Sequence, residues 1–478
     1  MNRGLSFGAL LLGLSAATCP AQSTDTVYVT SCCPDTSGNL VSDEFDYPLP
    51  SSTYSSLRVT LSSCDPFGAN RFRVVVLGDG YREEDLPDFH EVFDNIAANL
   101  LTGEPFATYA PLIQLRCVEV ISNDSGIDIN PGGPGEVLRD TAMDMSISNP
   151  GGRYLPRANA ASVADYAATA GTYDRVILVG NDYRFSGAAA NTNGGDRWLA
   201  MMTGPENSLF LEAMRHECGH TFAQLGDEYL DSSFTCRDYP STANDRLEPN
   251  ISKYDMESMV SEAVKWWQWE DVVDSRFDGP VSTYEGAALQ WCTGLYRPSP
   301  NSKMRGYNRP FNGPSAEALV LSIYEVVRPI DSHTPNDQPL TGFDVVSVQP
   351  VQPIGHSLDV TWRIGSLTVG TGTTLRICDL GLAAGSHTLT AEVVDNTDMV
   401  RDEEQRAVLM SQDVSWTVNV AECPADVNGD GVKNSSDVSA FLTVYTSLHP
   451  RADLNCDGVV NSNDYSTFLT YMYGTGCD

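Results

Sequence analysis

His216-Glu217-Cys218-Gly219-His220-Thr221-Phe222-Ala223-Gln224-Leu225-Gly226-Asp227-Glu228-Tyr229 sets two histidines four residues apart, with a glutamate directly after the first. Residues at i and i+4 of a helix lie one above the other, so both imidazoles can face one tetrahedral zinc ion. Glu217 is then beside them, placed as general base for a water whose acidity the metal raises. Met214, Cys218, Thr221 and Leu225 form a mainly apolar stripe roughly opposite the histidines, and Asn207 or Ser208 offers an N-cap, so a helix is expected here independently of any metal. A match of this length also arises by chance in ordinary core or surface helices. A purely structural zinc site is a second alternative, but it normally wants four protein ligands and leaves Glu217 without a role. The nearest other histidines are His90 and His333, so a carboxylate is expected to complete the ligand set. Leu225-Gly226 ends the helix, with Gly226 suited to a left-handed turn, and Asp227 comes first beyond it. Asp227 is therefore the expected third ligand. The alternative gives the metal to Glu228 and makes Asp227 a hydrogen-bond acceptor for a ligand histidine.

Upstream, Phe72-Arg73-Val74-Val75-Val76-Leu77-Gly78 is a short apolar run stopped by glycine, which predicts a buried strand. Asp85 to Leu101 spaces Phe89, Val92, Phe93, Ile96, Ala97 and Leu100 at helical intervals, with Pro87 in the first turn. Leu112 to Ile121 and Tyr173 to Val179 are further strand candidates. Alternating strands and helices predict an α/β domain with a mixed sheet over residues 66–332. Residues 22–65 read as a short β-rich entry segment. Residues 333–422 hold short strands between Gly and Pro turns, the pattern of an immunoglobulin-like β-sandwich.

The chain has 29 Lys and Arg against 63 Asp and Glu, a formal net charge of -34. Such a charge repels nucleic acid and anionic membrane surfaces, which excludes both as partners. Arg3 followed by the apolar run Leu5 to Leu14 and small residues through Ala21 has the layout of a secretory signal peptide over residues 1–21. Secretion is expected, to an extracellular, periplasmic or cell-surface location. No later stretch reaches the roughly 18 apolar residues of a transmembrane span. Twelve cysteines in an exported chain predict disulfides. Removing Cys19 with the leader leaves an odd number, and Cys218 is the candidate free thiol.

The chain ends in a repeat with a period of 27 residues. Asp426, Asn428, Asp430, Asn434 and Asp437 occupy positions 1, 3, 5, 9 and 12 of a calcium loop, with Gly431 at position 6 and the carbonyl of Val432 at position 7. Asp453, Asn455, Asp457, Val459, Asn461 and Asp464 repeat the set around Gly458. Two calcium ions are expected. One helix after each loop, and Asp at position 12, resemble a dockerin module over residues 423–478, with a cohesin-like anchoring partner implied. Cys423 and Cys477 bracket this module and are candidates to clasp it.

The His216 to Tyr229 stretch, ending in Leu-Gly-Asp-Glu-Tyr, resembles the clostridial-type immunoglobulin A metallopeptidase family. Leu77-Gly78-Asp79-Gly80-Tyr81, Glu104 to Tyr109, Tyr296-Arg297-Pro298 and Ser302-Lys303-Met304-Arg305 extend the likeness over residues 70–330, with a weaker echo in Asp395 to Arg401. Ala223 stands where many members have Gly, and the segment before residue 70 is shorter than the family's N-terminal domain. The resemblance implies a zincin fold of the metzincin-like kind, with Met304 in the turn beneath a catalytic zinc. It also implies a protein or glycoprotein substrate. In metzincins the third ligand sits six residues after the second histidine; here that residue is Gly226, so the ligand must shift to Asp227 or Glu228. Tyr307 is a candidate to reach the substrate oxyanion or the metal, and Arg297 and Arg305 are candidates for substrate binding. A zinc amidase acting on cell-wall peptides, and an inactive calcium-dependent adhesion protein, are the competing readings.

Overall fold

The computed structural model describes residues 27–34, 40–45, 57–61, 70–148, 154–191, 197–232 and 234–474, with backbone only before residue 62 and at Asn191. The leader assigned to residues 1–21 and the proposed clasp partner Cys477 lie outside the described residues.

Phe72–Asp79 is buried along almost its whole length because it runs through the middle of an eight-stranded sheet. It pairs in parallel with Ile113–Val120 on one side and Arg175–Gly180 on the other. Arg197–Thr203 adds a further parallel strand, and Ser186–Asn191 closes that edge antiparallel. Leu57–Leu61, Val27–Pro34 and Leu40–Phe45 extend the other edge, so the N-terminal segment continues the same sheet. Strand side chains alternate between faces. Accordingly Val74 and Val76 join the apolar cluster of Phe89, Phe93, Phe210 and Met214, while Val75 and Leu77 join Val163, Tyr166 and Met145 on the opposite face. Helices Leu86–Asn99 and Phe210–Ala223 contribute to the first cluster and Ala160–Ala168 to the second. The mixed α/β architecture predicted for this region is therefore present.

Beyond it, Ile330–His333, Val345–Pro350 and Thr374–Arg376 form one small sheet. Leu340–Thr341, Ser411–Val420, Gly385–Val394, Asp359–Ile364 and Leu367–Thr371 form a second. Their buried residues, among them Val346, Trp362 and Trp416, belong to the same continuous apolar cluster as the helices Leu86–Asn99 and Phe210–Ala223. The β module is thus built onto the α/β domain. Its segment around Asp395–Asp402 plugs the joint. The buried Asp395 carboxylate accepts from Tyr109 Oη at 3.0 Å and Tyr324 Oη at 2.7 Å and pairs with His356 Nε2 at 2.9 Å. Buried Glu317 accepts from Trp269 Nε1 at 2.6 Å and from the backbone N–H groups of Arg401 and Asp402.

The C-terminal helices Ser435–Thr446 and Ser462–Tyr473 make a separate small core, in which the Phe441 and Phe468 rings stack 4.1 Å apart. Among the described residues no helix is long and apolar enough to cross a membrane.

Candidate metal centre and active-site cleft

The helix Phe210–Ala223 is buried from His216 to its end, so His216, Glu217 and His220 sit in the interior, while Leu211, Glu212 and Arg215 are partly exposed. Its start differs from the expected cap. The helix begins after Leu209, and the Asn207 carboxamide oxygen accepts from Leu209 N at 2.9 Å, ahead of the first turn. Its end differs as well. Gln224, at φ 56°, takes the left-handed conformation expected of Gly226. Gly226 is required for another reason: a Cβ there would stand 2.7 Å from Ile251 Cγ1. The Asn250 carboxamide clamps the Gly226 backbone, accepting from its N–H at 2.7 Å and donating to its carbonyl at 3.0 Å. The chain is thereby turned back so that Asp227 meets the two histidines.

His216 Nε2 and His220 Nε2 are 3.2 Å apart, and Asp227 Oδ1 lies 3.1 Å from the first and 3.2 Å from the second. Tetrahedral zinc with ligand distances of about 2.0–2.1 Å requires donor atoms roughly 3.3 Å apart, so the triangle fits such an ion. Each imidazole turns its other nitrogen to a carbonyl, His216 Nδ1 to Lys303 at 3.0 Å and His220 Nδ1 to Leu225 at 2.5 Å. A proton held there leaves both Nε2 lone pairs directed at the triangle. Arg197 Nη1 also donates to Leu225 O, at 2.8 Å.

Burial works against charge on His216, but the Asp227 and Glu217 carboxylates outweigh it and its pKa rises to about 9. Burial likewise opposes the Asp227 carboxylate, yet His220 and His216 hold its pKa well below the usual range. Among the described residues, this is the group of His, Cys, Asp and Glu side chains whose donor atoms converge closely enough to hold an ion.

Glu228, the alternative third ligand, is fully buried elsewhere. Its Oε1 accepts from Asn250 at 2.9 Å and Asn312 at 2.8 Å, and its Oε2 from Ser302 at 2.6 Å. Burial pushes its pKa up, partly offset by these donors. Its backbone N–H donates to Met304 O at 2.8 Å. Glu228 therefore pins the turn that carries Met304. Met304 is buried beneath the helix, against Gly219: a Cβ on that glycine would stand 2.6 Å from Met304 Sδ. Cys218 is a buried free thiol, as expected.

An open cleft of about 480 Å³ reaches His216 of the triangle and is lined also by Glu217, Tyr229, Arg305, Tyr307 and the edge-strand residues Ser186 and Gly187. Tyr307 is 38% exposed, its ring 6.3 Å from that of His216. Arg305 lines the cleft while its Nη1 donates to Glu228 O at 3.1 Å. Arg297, the other substrate-binding candidate, is committed to the fold instead. It is buried, and its Nη1 donates to the carbonyls of Glu285 and Gly286, each at 2.6 Å.

Tyr229 and the edge strand Ser186–Asn191 were not expected at the site. Their approach is a tertiary event. The one local signal was Gly187: a Cβ there would stand 3.0 Å from Glu217 Oε1 and 3.0 Å from Met202 Sδ. Gly187→Val is expected to displace the Glu217 carboxylate and lower turnover by about 10²-fold with bound metal unchanged, since misplacing a reacting group by ~1 Å costs that much. Steady-state kinetics beside metal analysis checks this; wild-type turnover would mean that the strand yields.

His216, His220 and Asp227 thus bring three donor atoms together in a possible metal site, with Glu217 adjacent to His216 in sequence and both lining the cleft. Residues 61–275 match the family described as IgA Peptidase M64. Its members are metal-dependent peptidases. The matched span includes His216 to Tyr229 and ends before Met304. No curated protein matches the chain.

Proposed function

We propose that the protein is a secreted zinc-dependent endopeptidase acting on extracellular proteins or glycoproteins. The observation that carries this reading is the donor triangle of His216, His220 and Asp227, with edges of 3.1–3.2 Å, whose His216 lines the same cleft as Glu217. When bound, zinc supplies Lewis-acid polarisation of a carbonyl and acidification of water. Glu217 takes the proton of the attacking water and passes it to the leaving amine. Tyr307, and with it Tyr229, offers a phenol from the cleft wall toward the developing oxyanion. Arg305 faces substrate carbonyls or carboxylates. A diverse denatured proteome incubated with the purified chain, with and without a zinc chelator, tests the reading by mapping new termini. Chelator-sensitive new peptide termini are expected. Their absence from proteins, with cleavage of cell-wall peptides, would replace it by the amidase reading; no hydrolysis of either would favour an adhesion protein.

The C-terminal repeat completes the proposal as a dockerin-like module that binds two calcium ions and anchors the enzyme through a cohesin-like partner; the β-sandwich before it is read as immunoglobulin-like. Each loop offers only oxygen donors, from three aspartates and two asparagines, and its last aspartate is wholly buried at the start of its helix. The loops also share their internal bonds: Gly431 N donates to Asp426 Oδ2 at 2.8 Å and Gly458 N to Asp453 Oδ2 at 2.9 Å. Such hard, anionic oxygen sets suit calcium. Calorimetry on the full chain is expected to count two calcium ions, and Asp426→Ala and Asp453→Ala each to remove one. No uptake at millimolar calcium would refute this part of the proposal.

A further inference from the structure

Cys378 follows the strand Thr374–Arg376 of the β module, and Cys456 lies in the second C-terminal loop. Both are free and partly exposed, whereas Cys117 and Cys218 are buried. Cys456 lies near Cys378, Asp453 and Arg376 across the joint between modules. Arg376 frames them: its Nη2 is 3.7 Å from Cys378 Sγ and 2.7 Å from Asp453 Oδ2. A second clamp holds the same two faces together, with Arg451 donating to the Asp344 carboxylate at 2.6 and 2.9 Å.

The repeat supplies an independent argument. Cys456 occupies position 4 of its loop at φ 58°, and its counterpart in the first loop is Gly429 at φ 73°. A left-handed backbone is strained for any residue with a Cβ and free of strain for glycine. Cysteine therefore stands in the costlier place, and in the copy that faces another module. A Cβ on Gly458 would stand 2.6 Å from Arg376 Nη1, while Cβ atoms on Gly429 and Gly431 would meet nothing.

We propose that Cys378 and Cys456 form a disulfide that staples the C-terminal module to the β module, leaving the first loop and its helix as the side open to a partner. The proposal rests on export to an oxidising compartment, where a disulfide oxidant supplies the chemistry. The Cys378 thiolate attacks one sulfur of the oxidant disulfide and releases its first thiol. The Cys456 thiolate then attacks Cys378 Sγ of the mixed disulfide, forming the new S–S bond and releasing the second thiol. The two protons lost by the cysteines end on the two released thiols. The oxidant is reduced by two electrons.

Incubating the full chain with oxidised glutathione makes the test independent of where the protein resides. Remaining thiols are blocked, the chain is digested with trypsin and an enzyme that cleaves before aspartate, and unreduced peptides are mapped by mass spectrometry. The expected result is a peptide pair joined through Cys378 and Cys456. Cys456→Ser should lose that pair and leave Cys378 blocked or glutathionylated, with an unchanged circular dichroism spectrum. Blocked or glutathionylated thiols at both positions of the wild-type chain, or either cysteine joined to a different partner, would overturn the proposal.

Discussion

Glu217→Gln is expected to lower kcat by roughly 10²–10⁴-fold, the usual contribution of a positioned general base, while the chain keeps about one zinc ion. The amide has the shape of the carboxylate but no site that accepts a proton at neutral pH. Glu217 is not one of the three converging donors, so the triangle of His216, His220 and Asp227 is untouched. The fold should be untouched too, because the exchange preserves volume. Turnover of a peptide substrate and zinc content by elemental analysis are measured on the same preparation. Activity close to wild type would remove Glu217 from the reaction, and loss of zinc would make it a ligand.

Asp227→Ala is expected to weaken zinc binding by more than about 100-fold, since even partners that only orient a metal ligand contribute 10–100-fold. The triangle would lose its only carboxylate, and the two imidazoles alone hold a tetrahedral ion poorly. Glu228→Ala is the matched comparison. It strips the acceptor from Asn250, Asn312 and Ser302 in the interior, with an expected stability loss of roughly 3 kcal/mol or more, because each buried donor left unpaired costs about 1–3 kcal/mol. Chelator competition and denaturant unfolding separate the two effects. If Asp227→Ala retained full zinc and Glu228→Ala lost it from a folded chain, the ligand assignment would pass to Glu228.

The two variants differ so sharply because neighbouring carboxylates, chemically alike and adjacent in sequence, point into different environments. Their spacing favours Asp227 only as the first carboxylate beyond the turn and leaves Glu228 as an alternative. What separates them is the Asn250 clamp on Gly226 and the Ser302 to Met304 turn, contributed by segments far along the chain. The same holds for the cleft. Tyr229 was visible as the end of a motif, but its place beside His216 depends on how the chain leaves Gly226. Arg297 and Arg305 looked equivalent as exposed cations, yet one is spent on backbone carbonyls and the other lines the cleft.

The sequence by itself determined the local and periodic features. The i, i+4 histidines on a helix, the buried Phe72–Asp79 strand, the Leu86–Asn99 helix and the repeated loops are each encoded within one short segment. Helix and strand periods are properties of neighbouring residues, so reading them needs no knowledge of the rest of the chain. Only the tertiary structure decided which carboxylate joins the histidines, which sheet edge bounds the cleft, and that Cys456 lies near Cys378 of another module. Those outcomes depend on long-range packing, because a side chain's direction after a turn is set by the groups that clamp the turn and not by its place in the motif.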